Sequence, residues 1–373
     1  MKAAIAGAGI AGLAAGIALR QAGCEVEIFE RSNELRELGA GLMIWPNGTR
    51  SLATLGVEVD ALTVRSLDMF TWRGRLLNRF SLDVIRERFG FDTFLVHRAD
   101  LQAALASRFG VDGINLDAEI CDFGQVKNGV DVFLCNGTAT TVDFLVGADG
   151  LRSPVRRRLL HDGDPFYLGS TVWRGIAHGD GFGLPRDGGI NWVGRGSEFL
   201  AFQLSGGRIY WAGVTKEPVG ERPGVSGHKS DLLQRFGNWA HPVASLIGAT
   251  DDSMILRNDM YDRRAVDRWS DGRVTLVGDA AHPMTPNAAQ GACQALEDAV
   301  ALGASLAQTS DVNEAFKLYE RRRLGRANRV VGMSRQATRV VQIENRFACA
   351  VRDGVGPALT RWLYPRTLDW ILG

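Results

Sequence analysis

Long apolar runs, net charge and paired metal-ligand cysteines are all missing from this sequence. No stretch approaches the roughly 20 consecutive apolar residues that a membrane-spanning helix needs, so no membrane span is expected. Lysine plus arginine (43) nearly equals aspartate plus glutamate (42). A formal charge of +1 gives no electrostatic footprint for nucleic acid or for an anionic membrane. The basic clusters Arg156-Arg157-Arg158 and Arg321-Arg322-Arg323 read as solvated helix faces. Cysteine is scarce: there are five, at 24, 121, 135, 293 and 349, an odd number with no Cys-x-x-Cys. That pattern argues against structural zinc and leads us to expect reduced thiols in a cytoplasmic protein. Repeats and low-complexity tracts are absent as well. Lys2 precedes an uncharged run to Leu19, but glycines at 7, 9 and 12 explain that run better than a secretory signal does.

What is present is ordinary in amount and specific in order. The chain has 373 residues, 45% of them apolar and 23% charged, enough for about two domains with a substantial core. Lys2–Ala6 reads as a short buried strand, followed by Gly7-Ala8-Gly9-Ile10-Ala11-Gly12 and an alanine-rich helix that Gly23 ends. In a dinucleotide-binding unit the first glycine makes the tight turn and the second admits pyrophosphate. The third lets helix and strand pack closely. Cys24 to Glu30 alternates as a second strand and closes on an acid, about 20 residues beyond the glycines, where a carboxylate grips a ribose diol. Strand, fingerprint, helix, strand and terminal acid together predict an adenine dinucleotide here.

A second landmark lies about 270 residues later. Val274-Thr-Leu-Val-Gly278-Asp279 is a β-branched strand ending on Gly-Asp. A proline-punctuated loop through His282, Pro283, Pro286, Asn287, Ala289, Gln290 and Gly291 leads into a helix. That helix start offers unpaired N–H groups and partial positive charge to an electron-rich ligand. A third landmark, Val142 to Gly147 followed by Ala148-Asp149-Gly150, is a buried-type strand with Ser153 and Pro154 opening the next helix.

Between the landmarks, Gly39-Ala40-Gly41 suggests backbone passing close to something flat. A helix is expected over about 47 to 55, stopped by Gly56, with strands from 66 to 82. His97-Arg98-Ala99-Asp100 opens another helix, and Ile114 to Cys121 and Val130 to Cys135 read as strands. From about 168 to 260 the aromatic and glycine content rises and the pattern becomes a β-meander, with Ser205-Gly206-Gly207 as one turn. Residues 312 to 350 read as one or two charged helices, and Trp362 to Leu372 are apolar enough to pack on the body or on a second subunit.

Taken in order, the three landmarks resemble the flavin-dependent aromatic hydroxylases of the para-hydroxybenzoate hydroxylase family over nearly the whole chain. The resemblance implies an α/β fold: a Rossmann-like FAD-binding domain of the GR2 type (1–65, 97–167 and 261–330), an inserted substrate-binding β-sheet domain (66–96 and 168–260) and a C-terminal helical segment (331–373). It implies FAD held by Gly7, Gly9, Ala11, Gly12, Glu30, Arg31, Gly41, Arg98, Ile120, Asp149, Gly278, Asp279, Pro286, Gln290, Gly291 and Ala292, with NADPH or NADH as co-substrate. Pro286 would line the ring face beside an aromatic substrate, and Tyr210 and Pro286 are the catalytic candidates; His282 reads as structural, holding the loop. In such enzymes reduced flavin captures O2 as a C4a-hydroperoxide and passes one oxygen atom to an electron-rich carbon. The partners implied are the aromatic small molecule and O2, in a monomer or homodimer. A reductase or cyclase of the same fold, or an idle FAD-binding protein, is the alternative. Two departures stand out. Ala289 replaces a usual glycine, and we expect an ordinary backbone there that alanine tolerates. Urate-hydroxylating members carry an arginine about where Glu198 lies and an aspartate where Asn287 lies, which disfavours urate.

Overall fold

The computed structural model describes residues 1–35, 40–179, 182–220 and 227–372, with 357–368 described by backbone alone. Gly39, in the expected Gly-Ala-Gly turn, falls outside the described residues. Five parallel strands form one sheet in the order Val274–Leu276, Phe144–Gly147, Lys2–Ala6, Glu25–Phe29 and Ile114–Asn115. Ala3, Ala4 and Ile5 of the central strand are fully buried, as expected where helices cover both faces of a parallel sheet. Helix Ile10–Gln21 packs against helix Gly291–Leu306, which begins far along the chain. The approach of the first helix to the first strand needs the third fingerprint glycine: a Cβ on Gly12 would lie 1.9 Å from the Gly7 carbonyl oxygen. The three strands that carry the landmarks are neighbours running the same way. Their Gly7, Ala148-Asp149 and Gly278-Asp279 ends therefore leave the sheet at one edge, where open α/β sheets bind ligands.

A second sheet has seven strands, in the order Leu256–Asp262, Phe166–His178, Arg208–Lys216, Glu198–Leu204, Gly188–Val193, Ser66–Thr71 and Leu76–Ser81. Directly paired residues share a face. One face carries Trp173, Trp192, Phe199, Ala201 and Trp211, which build a separate core with helices Gly227–Phe236 and Val243–Ala249. The other carries Phe202, Tyr210, Ala212 and Val214 and joins the main core with the parallel sheet. A small sheet of Gly41–Ile44, Thr93–His97 and Leu62–Val64 lies alongside, and helix Pro46–Leu55 ends on Gly56 in the left-handed region at φ 67°.

Several expectations change here. Ile114 to Cys121 is not one strand. Ile114–Asn115 belongs to the parallel sheet, Asp117 turns the chain at φ 52°, and an antiparallel strand begins at Ile120. The helices Asp83–Phe89, Gly227–Phe236 and Val243–Ala249 are too short to stand out in a strand-rich stretch. The C-terminal part forms two long helices, Val312–Val341 and Arg346–Leu372, the first running unbroken through position 330. The expectation of reduced thiols throughout is overturned: Cys121 and Cys135 form a disulfide, Cα atoms 5.3 Å apart, across the pair Ile120–Val126 and Gly129–Leu134. Counting cysteines could not reveal that hairpin pairing. Cys24, Cys293 and Cys349 are free and buried. Among the described residues no helix is long and apolar enough to cross a membrane, and no cluster of three or more His, Cys, Asp or Glu is placed to hold a metal.

Candidate active site

The first wall of the cleft is the glycine fingerprint. At Gly9 a Cβ would meet nothing within 4 Å, so this backbone borders open space that a side chain would fill and a pyrophosphate fits. Glu30 ends the second strand with its carboxylate fixed: Oε2 accepts from the Ala8 N–H at 2.7 Å and Oε1 from the Ser32 N–H at 2.9 Å. Each oxygen keeps a lone pair for a hydroxyl. Arg31 follows, exposed. The Ile120 side chain is buried, so only its main chain is on offer, two residues beyond Ala118, whose N–H donates to the Glu30 carbonyl at 2.8 Å.

The third landmark touches the first. Gly278, at φ 59°, would place a Cβ 2.6 Å from the Cβ of Ala11. Asp279 is enclosed by the fold, yet its side chain is exposed to the cleft. Burial raises its carboxyl above the usual range, against the opposing charges of Arg98 and His282. Arg98, opening helix Arg98–Phe109, is in turn lowered by burial and raised by Asp279. Asp149, on the middle strand's end, accepts from the Val155 N–H at 3.1 Å through Oδ2, while its Oδ1 is buried without a hydrogen-bond partner. Burial pushes this carboxyl up to about 6, with hydrogen bonds from Ser153 and Val155 opposing. An unsatisfied buried acceptor at the edge of the cleft suits a ligand that donates.

Two arginines expected on solvated helix faces instead anchor the Gly-Asp loop. Arg156 is fully buried, its Nη1 donating to the carbonyls of Ala280 (3.0 Å) and Ala281 (2.8 Å) and its Nε to Asp162 (2.8 Å). Arg323 is 4% exposed, Nε donating to Asp298 Oδ1 (2.8 Å) and Nη1 to Glu297 Oε2 (2.6 Å). Asp298 Oδ2 then accepts from the Gly278 N–H (2.9 Å) and meets His282 Nε2 at 2.5 Å. His282 is buried in this network and holds the loop. Arg157, Arg158, Arg321 and Arg322 remain exposed. A basic triplet does not reveal which member points inward.

The loop after Asp279 carries the remaining candidates. Pro286 is exposed and opens a 3-10 turn through Ala288. Ala289 lies at φ 47° and ψ 36°, so the expectation of an ordinary backbone there is wrong. The turn needs the left-handed conformation, which costs a non-glycine residue roughly 1–2 kcal/mol. Gln290 is buried, with Oε1 accepting from Asn47 Nδ2 (3.0 Å) and Gln294 Nε2 (3.1 Å), so only its main chain is free to serve a ligand. Helix Gly291–Leu306 starts without a side-chain cap, leaving the N–H groups at Gly291 and Ala292 without intrahelical partners.

Opposite lies the inner face of the seven-stranded sheet. Tyr210 is buried against Phe202, ring centroids 5.0 Å apart, and a Cβ on Gly41 would strike the Tyr210 ring at 2.5 Å. Gly41 therefore buys close packing between the small sheet and Tyr210. Burial raises the Tyr210 phenol, with Arg174 opposing. Glu198 shares this face, hydrogen-bonded to Asn287 of the Pro286 turn at 2.6 Å. Thr338 clamps the other end of the Asn287 amide at 2.7 Å. Arg174 and Thr338 escaped the sequence reading, and Glu198 entered it only as a mismatch. An acid inside Glu198-Phe-Leu-Ala-Phe202 was the signal available.

A family model described as "FAD binding domain" matches residues 1–164 and 247–334. The aurachin C monooxygenase/isomerase of Stigmatella aurantiaca is 38% identical, over 94% of this chain and 92% of the relative. The FAD-dependent urate hydroxylase of Klebsiella pneumoniae subsp. pneumoniae is 34% identical, over 90% of this chain and 89% of that protein. Among solved structures, Klebsiella pneumoniae HpxO complexed with FAD and uric acid superposes with a TM-score of 0.93 at 31% identity, covering 100% of this chain and 97% of that one.

Proposed function

Since the chain belongs to the FAD-binding-domain family of flavoprotein hydroxylases, we propose that this FAD-dependent monooxygenase inserts one atom of O2 into an aromatic or otherwise electron-rich small molecule, with NADPH or NADH as electron donor. FAD supplies the redox chemistry that reduces O2 and delivers one of its atoms. The protein's part is to bind, orient and shield. Glu30 and the open backbone at Gly9 would take the ADP end, with Gly7, Ala11 and Gly12 setting the turn. Asp279 would accept from the hydroxyls of the ribityl chain, with Arg98 beside it. The free N–H groups at Gly291 and Ala292 would stabilise negative charge on the ring edge. Gly41, Arg31, Ile120, Asp149, Gly278 and Gln290 would complete the cradle, mostly through backbone.

The observation that carries this reading is the convergence of three distant strand ends on one cleft whose far side is the apolar inner face of the second sheet. Phe202, Tyr210 and Ala212, buried on that face, would keep water from a substrate beside Pro286. Tyr210 is our candidate for meeting a substrate hydroxyl; a phenol is protonated near neutral pH, and burial raises this one further. We read 1–65, 97–167 and 261–330 as the cofactor-binding part, 66–96 and 168–260 as the substrate-binding sheet, and 331–373 as the helical segment. We also read the protein as a monomer or homodimer of the cytoplasm. The disulfide removes the thiol argument for that compartment, and the need for NADPH or NADH is what supports it.

The test is to load the chain with FAD and follow NADPH and NADH oxidation with an aromatic panel under isotopically labelled O2. Stimulated oxidation with one labelled atom in the product is expected. Stimulated oxidation without oxygen uptake would replace this reading with a reductase.

A further inference from the structure

Glu198 interrupts a largely apolar stretch of the inner sheet face, where Val193 and Val214 are its cross-strand partners and Leu200 and Ala212 lie alongside. It is 4% exposed, and among the described residues its hydrogen-bond partners are two side-chain amides. Oε1 accepts from Asn287 Nδ2 at 2.6 Å and Oε2 from Asn191 Nδ2 at 3.3 Å. Among the described residues the one cationic influence on it is Arg352, whose Nε donates to Asp353 and Nη2 to the Gly194 carbonyl, while its Nη1 is buried without a hydrogen-bond partner. Burial accordingly raises the Glu198 carboxyl above its usual range despite the two amide bonds.

An ionised carboxylate has about four acceptor positions, and here two are filled. The amide orientations follow from the carboxylate, since each must turn its nitrogen towards it. Asn287 then presents its oxygen to Thr338, which donates at 2.7 Å. The Asn191 oxygen, turned the other way, is buried and has no partner. The unsatisfied atoms of the Glu198–Asn191 pair are acceptors, beside the turn that carries Pro286. A ligand that donates relieves a cost that a partnerless buried acceptor otherwise carries. An anion meets like charge where solvent screens little.

We propose that Glu198 is the specificity-determining residue of this site: with Asn191 it accepts from an N–H or O–H of the substrate, so the enzyme takes uncharged, donor-bearing aromatics and rejects aromatic carboxylates and similar organic anions. The proposal rests on the reading that an aromatic substrate lies beside Pro286.

The experiment uses FAD-loaded full-length protein and isosteric pairs differing in charge: benzamide and benzoate, indole-3-carboxamide and indole-3-carboxylate, quinoline-4-carboxamide and quinoline-4-carboxylate. Binding is measured by titration calorimetry, and NADH oxidation is followed in parallel. The amide of each bound pair should bind about tenfold or more tightly than its carboxylate. Glu198→Gln, with FAD content and unfolding midpoint checked, should shrink that ratio several-fold. A residue that only holds the Asn287 turn would weaken both members equally and leave the ratio unchanged, which would overturn the proposal. Carboxylates bound as well as amides by the parent protein overturn it without any variant, and leave the monooxygenase reading intact. If FAD stays bound and no pair binds or stimulates oxidation, the aromatic-substrate reading fails and this inference with it.

Discussion

Arg323→Met tests how the cofactor loop is held. Methionine fills similar volume and removes the charge. The parent guanidinium makes four bonds: to Asp298 (2.8 Å), Glu297 (2.6 Å), the Gln294 side chain (2.7 Å) and the Gln294 carbonyl (3.2 Å). Removing one partner of a buried ion pair costs about 3–5 kcal/mol. The lower end applies here, because Asp298 keeps His282 and Glu297 keeps Arg326 at 3.0 Å. The pH dependence is the sharper check. Burial alone would raise the Asp298 carboxyl, but His282 and Arg323 prevail and hold it below its ordinary value. A depressed carboxyl contributes stability above the unfolded-state value and loses it as pH falls through the folded one. The penalty of Arg323→Met should therefore be largest near pH 7 and begin to shrink as pH falls towards about 4, where Asp298 of the variant takes up its proton before that of the parent. Urea unfolding of the FAD-free proteins from pH 3.5 to 8 measures it. FAD affinity should fall in parallel, because Asp298 also fixes the Gly278 N–H. A variant within about 1 kcal/mol of the parent at pH 7, or a penalty that grows in acid, would refute the reasoning.

Two glycines of one fingerprint should respond differently. Gly9→Val meets open space, so the FAD-free protein should unfold at the parent's urea midpoint while FAD binding weakens about a hundredfold or more, a methyl clash replacing backbone contact with pyrophosphate. Gly12→Ala puts a Cβ 1.9 Å from the Gly7 carbonyl and should leave little folded protein; equal yields of the two would sink this assignment. Asp149→Asn probes the carboxyl raised to about 6. Its protonated form is favoured by the fold, so its stability contribution is present below about pH 4 and lost as pH rises through 6. The neutral asparagine escapes that loss. The FAD-free variant should be more stable than the parent by about 1–3 kcal/mol at pH 7.5, the residue's partial exposure discounting the upper figure. The gain should vanish near pH 4, and a difference independent of pH in urea titrations would count against the reading.

How much of this was legible in the sequence depends on whether a feature is local. Strand, turn and helix at Lys2–Ala6, Gly7 to Gly12 and Ile10–Gln21 are local, as is Ser153, whose Oγ accepts from the Arg156 N–H at 2.8 Å as an N-cap should. Such elements can be read before anything packs on them. Arg156 and Arg323 cannot, because a charged side chain is buried or solvated according to what a distant segment brings to it. Their partners lie at 280, 281, 297 and 298. Cys121 and Cys135 fail for the same reason, since their pairing is a matter of hairpin register.

Ala289 and Glu198 form a different class: both are visible in the sequence as departures, but what each does depends on the surrounding fold. Alanine in a turn that demands φ 47° is not tolerated by a relaxed loop; it is held there. Its neighbour Asn287 is tied from one side by Glu198 on the sheet and from the other by Thr338 on the long helix, and the Thr338 and Thr285 hydroxyl oxygens also lie 2.8 Å apart. Strain of that kind persists only where the surroundings over-determine the backbone. The same carboxylate that would accept from the substrate thus also fixes the turn that carries Pro286. An exchange at Glu198 should consequently act on which molecule binds and on how firmly Pro286 is presented, and only the ratio between charged and uncharged ligands separates the two effects.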